Sequence, residues 1–234
     1  MTLSRRVVAT LAAVMSAPAA WAGEASESEA PPGANAPAAA TSGVASAAPT
    51  DRAVTPPWTG AITLYPTHVH GGERYTSAIG IAERGPVHLE ARVNYESVGA
   101  RSAWLGWAFA GGDAVGWTFT PIIGGAWGTT QSFLAGFEAS ASWRQLDAYI
   151  EAEVVPTTAS SDSYVYAWSE VGWRPVEWLR VGLVGQRTRV RNADRELSRG
   201  VLAQVTFGPV TVGAYGFDLG SSDRTIMAML GLKL

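Results

Sequence analysis

The sequence lacks several features that identify common classes of protein. It contains no cysteine, so it has no disulfide and no cysteine-based zinc site. No stretch approaches the roughly 18 uninterrupted apolar residues of a transmembrane helix. The Walker loop and the glycine pattern of dinucleotide-binding folds are also missing. These absences give little support to an enzyme, and they imply no cofactor.

Charge is sparse and slightly acidic, with 17 lysines and arginines against 20 aspartates and glutamates. An acidic chain is a poor partner for nucleic acid. At the N-terminus, Arg5 and Arg6 precede the apolar run 7–14 and the small-residue motif at 20–22. This pattern is typical of a secretory signal peptide over residues 1–22, and no cysteine follows the cleavage site to carry a lipid anchor. We therefore expect an exported protein.

The next segment, residues 23–57, is dominated by alanine, proline, serine, glycine, glutamate and threonine. It has too few large apolar residues to offset the entropy of ordering, so we expect it to be disordered. Two roles remain open for it. It is a flexible periplasmic linker, or it is a tail that plugs the folded domain or binds a periplasmic partner.

The folded part, residues 58–234, is organised on the pattern of residues 87–96, which read VHLEARVNYE. From Val87 to Tyr95, alternate residues are apolar, while the intervening positions from His88 to Glu96 are polar. Because successive side chains of a strand point to opposite faces, period two predicts a β-strand with one apolar and one strongly polar face.

Similar segments of about ten residues, separated by turn residues, recur to the end of the chain. They predict about twelve strands, with ten or fourteen as alternatives, at 58–65, 75–84, 87–96, 102–110, 114–126, 131–143, 145–155, 163–173, 178–189, 197–207, 210–218 and 225–234. Tight turns alternate with mostly longer links, as in an even-stranded barrel whose tight turns face the periplasm.

A soluble lipocalin-like barrel or a β-sandwich would produce the same alternation with the apolar face inside. Three features favour an apolar outer face instead: the signal peptide, the charge density of the polar face, and aromatic residues near the strand ends. Aromatic rings prefer the headgroup zone of a membrane. The predicted membrane girdle contains Trp58, Trp143, Trp173 and Trp178 on the tight-turn side, and Tyr75 and Tyr95 on the other.

The last segment carries apolar residues at alternate positions from Ile226 to Leu234. It resembles the C-terminal strand of bacterial outer-membrane β-barrels, which the barrel assembly machinery reads. The resemblance is to this porin-like class and covers residues 58–234. It implies an all-β, transmembrane, antiparallel up-and-down β-barrel in the outer membrane of a Gram-negative bacterium, in contact with membrane lipid and lipopolysaccharide, with the N-terminal arm in the periplasm.

With the apolar face toward lipid, the polar face lines a lumen in which acids outnumber bases. The expected lumen residues are Glu90, Arg92, Glu138, Asp147, Glu151, Glu153, Glu170 and Arg180. A wall of carboxylates in a narrow pore attracts cations, which predicts a passive channel for small cationic or neutral solutes. The alternative is that the two arginines pair with the acids and plug the lumen, leaving a non-conducting structural or interaction barrel.

Two further sets of residues carry weaker hypotheses. The inward-facing aromatic rings either stack on a ligand or fill the barrel. These rings belong to Tyr149, Tyr164, Tyr166 and Trp168. Arginines around the 190–196 link either contact lipopolysaccharide phosphates or are solvated, and they are Arg187, Arg189, Arg191 and Arg195.

A hydrolase at the barrel rim is a third function class. The chain has only three histidines, His68, His70 and His88, and no serine stands at a spacing typical of a nucleophile and its base. His68 and His70 form a weak metal pair without a third ligand nearby. We therefore predict no catalytic residues and no metal site.

Overall fold

The computed structural model describes residues 56–156, 163–190 and 195–234. The predicted signal peptide and nearly all of the predicted linker lie outside these residues. None of the described segments is a helix long and apolar enough to cross a membrane.

Within the described ranges, the chain forms thirteen strand segments and no helix. They are β1 (Thr59–Val69), β2 (Arg74–Arg84), β3 (Val87–Val93), β4 (Arg101–Trp107), β5 (Phe109–Gly111), β6 (Gly116–Trp127), β7 (Ser132–Trp143), β8 (Leu146–Val155), β9 (Tyr164–Val176), β10 (Leu179–Val190), β11 (Arg195–Phe207), β12 (Val210–Phe217) and β13 (Thr225–Lys233).

From β1 to β4 and from β5 to β13, each strand pairs in antiparallel register with the strand that follows it in the sequence, and β1 also pairs with β13. Both β4 and β5 pair with β6, so they are two parts of one strand interrupted at Ala108. The pairing of β4 with β6 closes the sheet on itself. The result is a closed, antiparallel, up-and-down barrel of twelve strands, which confirms the predicted fold class and the central value of the predicted strand number.

The two ends of the barrel differ. At the tight-turn end, strands are joined by short connections in which Gly85, Arg144 and Gly208 adopt positive φ. Both ends of the described barrel meet there, since Gly60 and Leu234 exchange backbone hydrogen bonds. The opposite end, called the loop end below, carries longer links such as 94–100 and 218–224.

The side chains alternate as predicted, with the apolar set outside. Leu183 and Phe133 are 65% and 62% exposed, whereas Glu151 on the opposite face of the wall is completely buried. In β4, Ser102 and Trp104 point inward, while Leu105 points outward. This arrangement is the reverse of a water-soluble barrel and suits a barrel surrounded by hydrocarbon.

Three predicted strand ends differ from the structure by three or four residues. β9 runs to Val176 instead of ending at Trp173. β1 continues through Pro66 to Val69 instead of ending at Tyr65, because the residues on both sides of Pro66 pair with β2 and β13. β3 ends at Val93 instead of Glu96, because Asn94 adopts a φ of 55° and the chain turns into the link 94–100. Beyond Asn94 the alternation of faces no longer applies.

Candidate functional site in the barrel lumen

Arg92 on β3 reaches across the lumen to β8. Its Nε donates to Glu90 Oε1 at 2.7 Å, and its Nη1 lies 3.0 Å from Glu151 Oε1. The same Nη1 donates to Glu153. These four residues, called the Arg92 cluster below, are each no more than 3% exposed. Since β3 and β8 are not neighbours in the sheet, the ion pairs cross the interior.

Aromatic side chains enclose the Arg92 cluster. The guanidinium lies over the rings of Tyr95 and Trp104, at 4.2 and 4.7 Å from their centroids. The Tyr95 hydroxyl donates to Glu151 at 2.6 Å, and the Tyr149 hydroxyl, whose nearer acceptor is Glu138 at 3.0 Å, lies 3.2 Å from the other Glu151 oxygen. Stacking and hydrogen bonding together hold the charges in one arrangement.

A buried histidine lies beside the Arg92 cluster, toward the tight-turn end. His88 Nδ1 is 3.1 Å from Glu83 Oε1, and its Nε2 faces Glu90 at 3.6 Å and Glu138 at 3.8 Å. His88, Glu90 and Glu138, called the His88 triad below, each offer one ligand atom, and these atoms all lie within 4.8 Å of one another. Within the described residues, this is the group with the geometry to hold a metal ion.

A second charged group joins β8, β9 and β10. Arg180 donates to Asp147 at 2.6 Å and to Glu170 at 2.6 Å, and Arg174 also donates to Asp147. These four residues form the Arg180 cluster. Glu170 additionally accepts a hydrogen bond from the Trp168 indole at 3.1 Å. Two arginines and two acids thus face each other here.

Interlocking aromatic rings fill another part of the lumen. Trp168 packs edge-on against Tyr215 and Phe217, with centroids 5.8 and 5.4 Å away, and Tyr166 packs in the same way against Tyr95. Trp168 is fully buried. The rings pack against one another. This packing favours the interpretation that they fill the barrel over the interpretation that they stack on a ligand.

Open space remains at the two ends. A cavity of about 70 Å³ at the tight-turn end is lined by Asp147, Arg174 and Arg180 among others. A larger cavity of about 520 Å³ lies at the loop end, beside His70, Tyr75 and Glu196. The two cavities share no lining residue. The barrel interior also holds the buried side chains of the Arg92 cluster and the aromatic rings around Trp168.

All eight residues predicted for the lumen are buried inside the barrel. Five of the acids predicted for the lumen lie on the adjacent strands β7, β8 and β9, and they are divided between the two arginine clusters and the His88 triad: Glu138, Asp147, Glu151, Glu153 and Glu170. The aromatic residues Tyr149, Tyr166 and Trp168 are also buried, and Tyr164 is partly buried. The role of the charged residues in ion selectivity and the role of the aromatic residues in ligand stacking stay predictions.

The residues predicted for the membrane girdle lie on the outer surface on one side of the barrel only. The four tryptophans of the tight-turn side are exposed on the outer surface by 46% to 53%, and they are Trp58, Trp143, Trp173 and Trp178. The assignment of Tyr75 and Tyr95 to the other belt is wrong, because both rings pack against the interior cluster. Tyr75 pairs with the inward-facing Thr67, and Tyr95 follows the end of β3.

Of the four arginines predicted to contact lipopolysaccharide, Arg187 and Arg189 are exposed near the loop end of β10. Arg191 and the side chain of Arg195 lie outside the described residues. The two rim histidines are exposed and contact arginines: Arg74 donates to His68 at 3.2 Å, and Arg224 Nη2 lies 3.3 Å from His70 Nδ1.

Sequence reasoning missed the residues that complete the interior. Tyr95 was assigned to the wrong face, and Trp104 and the histidine partner Glu83 were not singled out. One signal for the His88 triad was present: His88 and Glu90 are two residues apart, so they share the lumen face of one strand. Glu96, in the link after β3, is buried too, and desolvation raises the pKa of its carboxyl above the ordinary glutamate value.

The fold and the polar interior define the class of the protein as an outer-membrane-type β-barrel. No family model matches the chain, and no curated protein matches it. Among solved structures it is similar to the KdgM porin, with a TM-score of 0.49 and 8% identity over 74% of this chain and 97% of that one. It is also similar to a loop L8 deletion mutant of OmpT, an outer membrane protein of Vibrio cholerae, with a TM-score of 0.35 and 6% identity over 76% of this chain and 98% of that one.

Proposed function

We propose that this protein resides in the bacterial outer membrane as a barrel that is closed to solutes, with a structural or interaction role. The outer surface supports the membrane location. Large apolar side chains such as Leu105, Ile123 and Val171 are more than half exposed on it, and water would disfavour so much apolar surface. A closed barrel leaves no strand edge unpaired in hydrocarbon.

The proposal of a closed barrel rests on one observation, the ion-pair network that Arg92 forms across the lumen. Opening a water-filled path there would separate Arg92 from Glu151 and Glu153 of β8 at once. Such pairs are strongly coupled away from water, because each partner would otherwise be an unpaired buried charge. The aromatic core around Trp168 closes a second part of the cross-section.

The loop end is the natural surface for an interaction role. Its cavity of about 520 Å³ combines apolar and polar side chains, among them Val69, Gln186, Asp218 and Thr225. The exposed Arg187 and Arg189 lie at the same end, where lipopolysaccharide phosphates are the expected partners in an outer leaflet. Contact with lipopolysaccharide is part of this proposal.

A passive channel for small cationic or neutral solutes is the second candidate function. The observation that favours it is the surplus of glutamates around Arg92. A lumen that opens beside such a surplus would attract cations and repel anions.

The decisive experiment is single-channel recording of the refolded full chain in a planar bilayer under a salt gradient, with folding checked by heat-modifiable gel mobility. We expect no stable conductance steps from the wild-type protein. Arg92→Ser should produce steps with a reversal potential on the cation side, because it removes the residue that bridges the lumen. Arg189→Ser, on the outer surface, should remain silent.

Stable cation-selective steps from the wild-type protein would contradict the closed barrel and establish the channel. Replacing Glu151 and Glu153 by glutamine should then reduce the cation preference. Unchanged selectivity in that double variant would show that these two carboxylates do not set it.

A further inference from the structure

The His88 triad has an unusual arrangement for a group of side chains without access to bulk water. His88 and Glu90 come from β3, and Glu138 comes from β7, so the group bridges two strands that are not adjacent. His88 is 2% exposed, Glu90 3% and Glu138 5%. Two carboxylates thus converge on one imidazole nitrogen inside the barrel.

That nitrogen lacks a hydrogen bond. Among the described residues, His88 Nε2 has no hydrogen-bond partner, and the facing oxygens of Glu90 and Glu138 are 3.6 and 3.8 Å away, too far for a direct bond. The other ring nitrogen, Nδ1, lies 3.1 Å from Glu83 Oε1 and donates its proton to that carboxylate. In a neutral imidazole, this bond leaves the lone pair of Nε2 pointing at two further carboxylates.

Three electron-rich atoms face one another in a buried space, and although Glu90 Oε2 also accepts from Arg92 Nη2 at 3.0 Å, a positive charge between the three atoms would be favourable. We propose that the His88 triad binds one divalent first-row transition-metal cation through His88 Nε2 and one carboxylate oxygen each of Glu90 and Glu138. A tetrahedral zinc site with bonds of about 2.1 Å places its ligand atoms about 3.4 Å apart. The observed separations of 3.6 and 3.8 Å are close to that value.

The surroundings also resemble those of a metal site. Each ligand is oriented by a further contact: Glu83 accepts from His88, Arg92 donates to Glu90 at 2.7 Å, and the Tyr149 hydroxyl donates to Glu138 at 3.0 Å. A carboxylate behind a metal-binding imidazole is a recurrent arrangement that fixes the tautomer. The Glu83 side chain, which holds His88, is 40% exposed at the tight-turn end.

The ligand set selects the type of cation. Imidazole nitrogen suits zinc, copper, nickel and iron, whereas magnesium and calcium prefer oxygen ligands alone. Zinc is therefore the probe of choice, and magnesium is the negative control. The competing arrangement has no metal and places a second proton on His88, so that an imidazolium lies among the glutamates. The metal site exists whether or not the lumen conducts, so it stands independently of the proposed function.

The test uses zinc titration calorimetry on the full chain, refolded in detergent, with His68→Ala and His70→Ala introduced together. Since the sequence has three histidines, this background leaves His88 as the remaining imidazole. We expect one zinc ion per chain and no comparable response to magnesium. Adding Glu138→Gln or His88→Gln should weaken zinc binding at least about tenfold.

Glu153→Gln is the matched control, because Glu153 is as buried as Glu138 and belongs to the Arg92 cluster but not to the triad. It should leave the zinc affinity unchanged. An equal loss for Glu153→Gln and Glu138→Gln would show diffuse attraction to the acidic interior and would overturn the site.

A further measurement uses no triad variant, so its result does not depend on whether the triad variants fold. X-ray absorption of the zinc-loaded background protein should show one imidazole nitrogen among otherwise oxygen ligands. A folded background protein that binds no zinc, or zinc without imidazole in its coordination sphere, would overturn the proposal and leave the imidazolium as the occupant of the space.

Discussion

The two arginine clusters of the lumen use the same residue types with different balance. The Arg180 cluster contains two arginines and two acids, and Arg174 is partly exposed to solvent. The Arg92 cluster holds three glutamates around one arginine, with Glu138 and His88 next to it and no contact with open water at Arg92. The first is a neutral network, and the second carries a negative surplus.

Because of this difference, we expect the Arg180 cluster to act only as a set of structural ion pairs, and we expect the region around the Arg92 cluster to be able to bind a cation. In a network with equal numbers of both charges, no unpaired charge remains to attract a further ion. A buried surplus of carboxylates is unfavourable unless protons or cations compensate it. The surplus lies beside the unpartnered nitrogen of His88, which is where the structure provides room for such a charge.

The largest effect should come from Arg92→Met, which removes the cation of the Arg92 cluster and leaves three buried glutamates without it. Breaking a buried ion pair in this way costs about 3–5 kcal/mol in the free energy of unfolding. Urea unfolding in phospholipid vesicles, followed by tryptophan fluorescence, measures the change. A loss below about 1 kcal/mol would mean that the glutamates are already neutralised by protons or by another cation.

A smaller loss is expected for Asp147→Asn in the Arg180 cluster. Asparagine keeps one oxygen as an acceptor, Arg180 keeps Glu170, and Arg174 can turn to water. Losing a hydrogen bond to a charged group costs about 2 kcal/mol, so Asp147→Asn should be clearly milder than Arg92→Met in the same unfolding measurement. Equal losses for the two variants would remove the distinction between the clusters.

The smallest effect should come from Glu138→Gln in a buffer containing a chelator. This change removes one charge from the acidic surplus, and the glutamine oxygen can still accept the Tyr149 hydrogen bond. We expect the free energy of unfolding to stay the same or to rise by up to about 1 kcal/mol, because repulsion with Glu90 and Glu151 is relieved. A loss as large as that of Asp147→Asn would indicate that Glu138 carries a stabilising partner without metal.

The strands and their faces could be predicted because the information is local. From Val87 to Val93, each residue's face follows from its neighbours, and all eight charged residues expected in the lumen are buried. The prediction failed where one residue changes the local geometry. Asn94 adopts a positive φ, so Tyr95 points into the lumen and bonds Glu151 instead of meeting the membrane.

The His88 triad was harder to predict from the sequence in the same way. His88 and Glu90 share a strand, but their third partner Glu138 lies on β7, and the sequence gives no distance between those strands across a lumen. The choice between a wall of carboxylates and a plug of ion pairs depended on such distances, and it was left open for that reason.

By itself, the sequence determined the strand pattern and which residues share a face, because both depend on period two along a short segment. Only the tertiary structure decided which charges meet. Arg92 and Glu153 are 61 residues apart, and their contact exists because closure of the barrel brings β3 opposite β8. Pairing across a lumen is a property of barrel size and strand register together, and neither can be read from one strand.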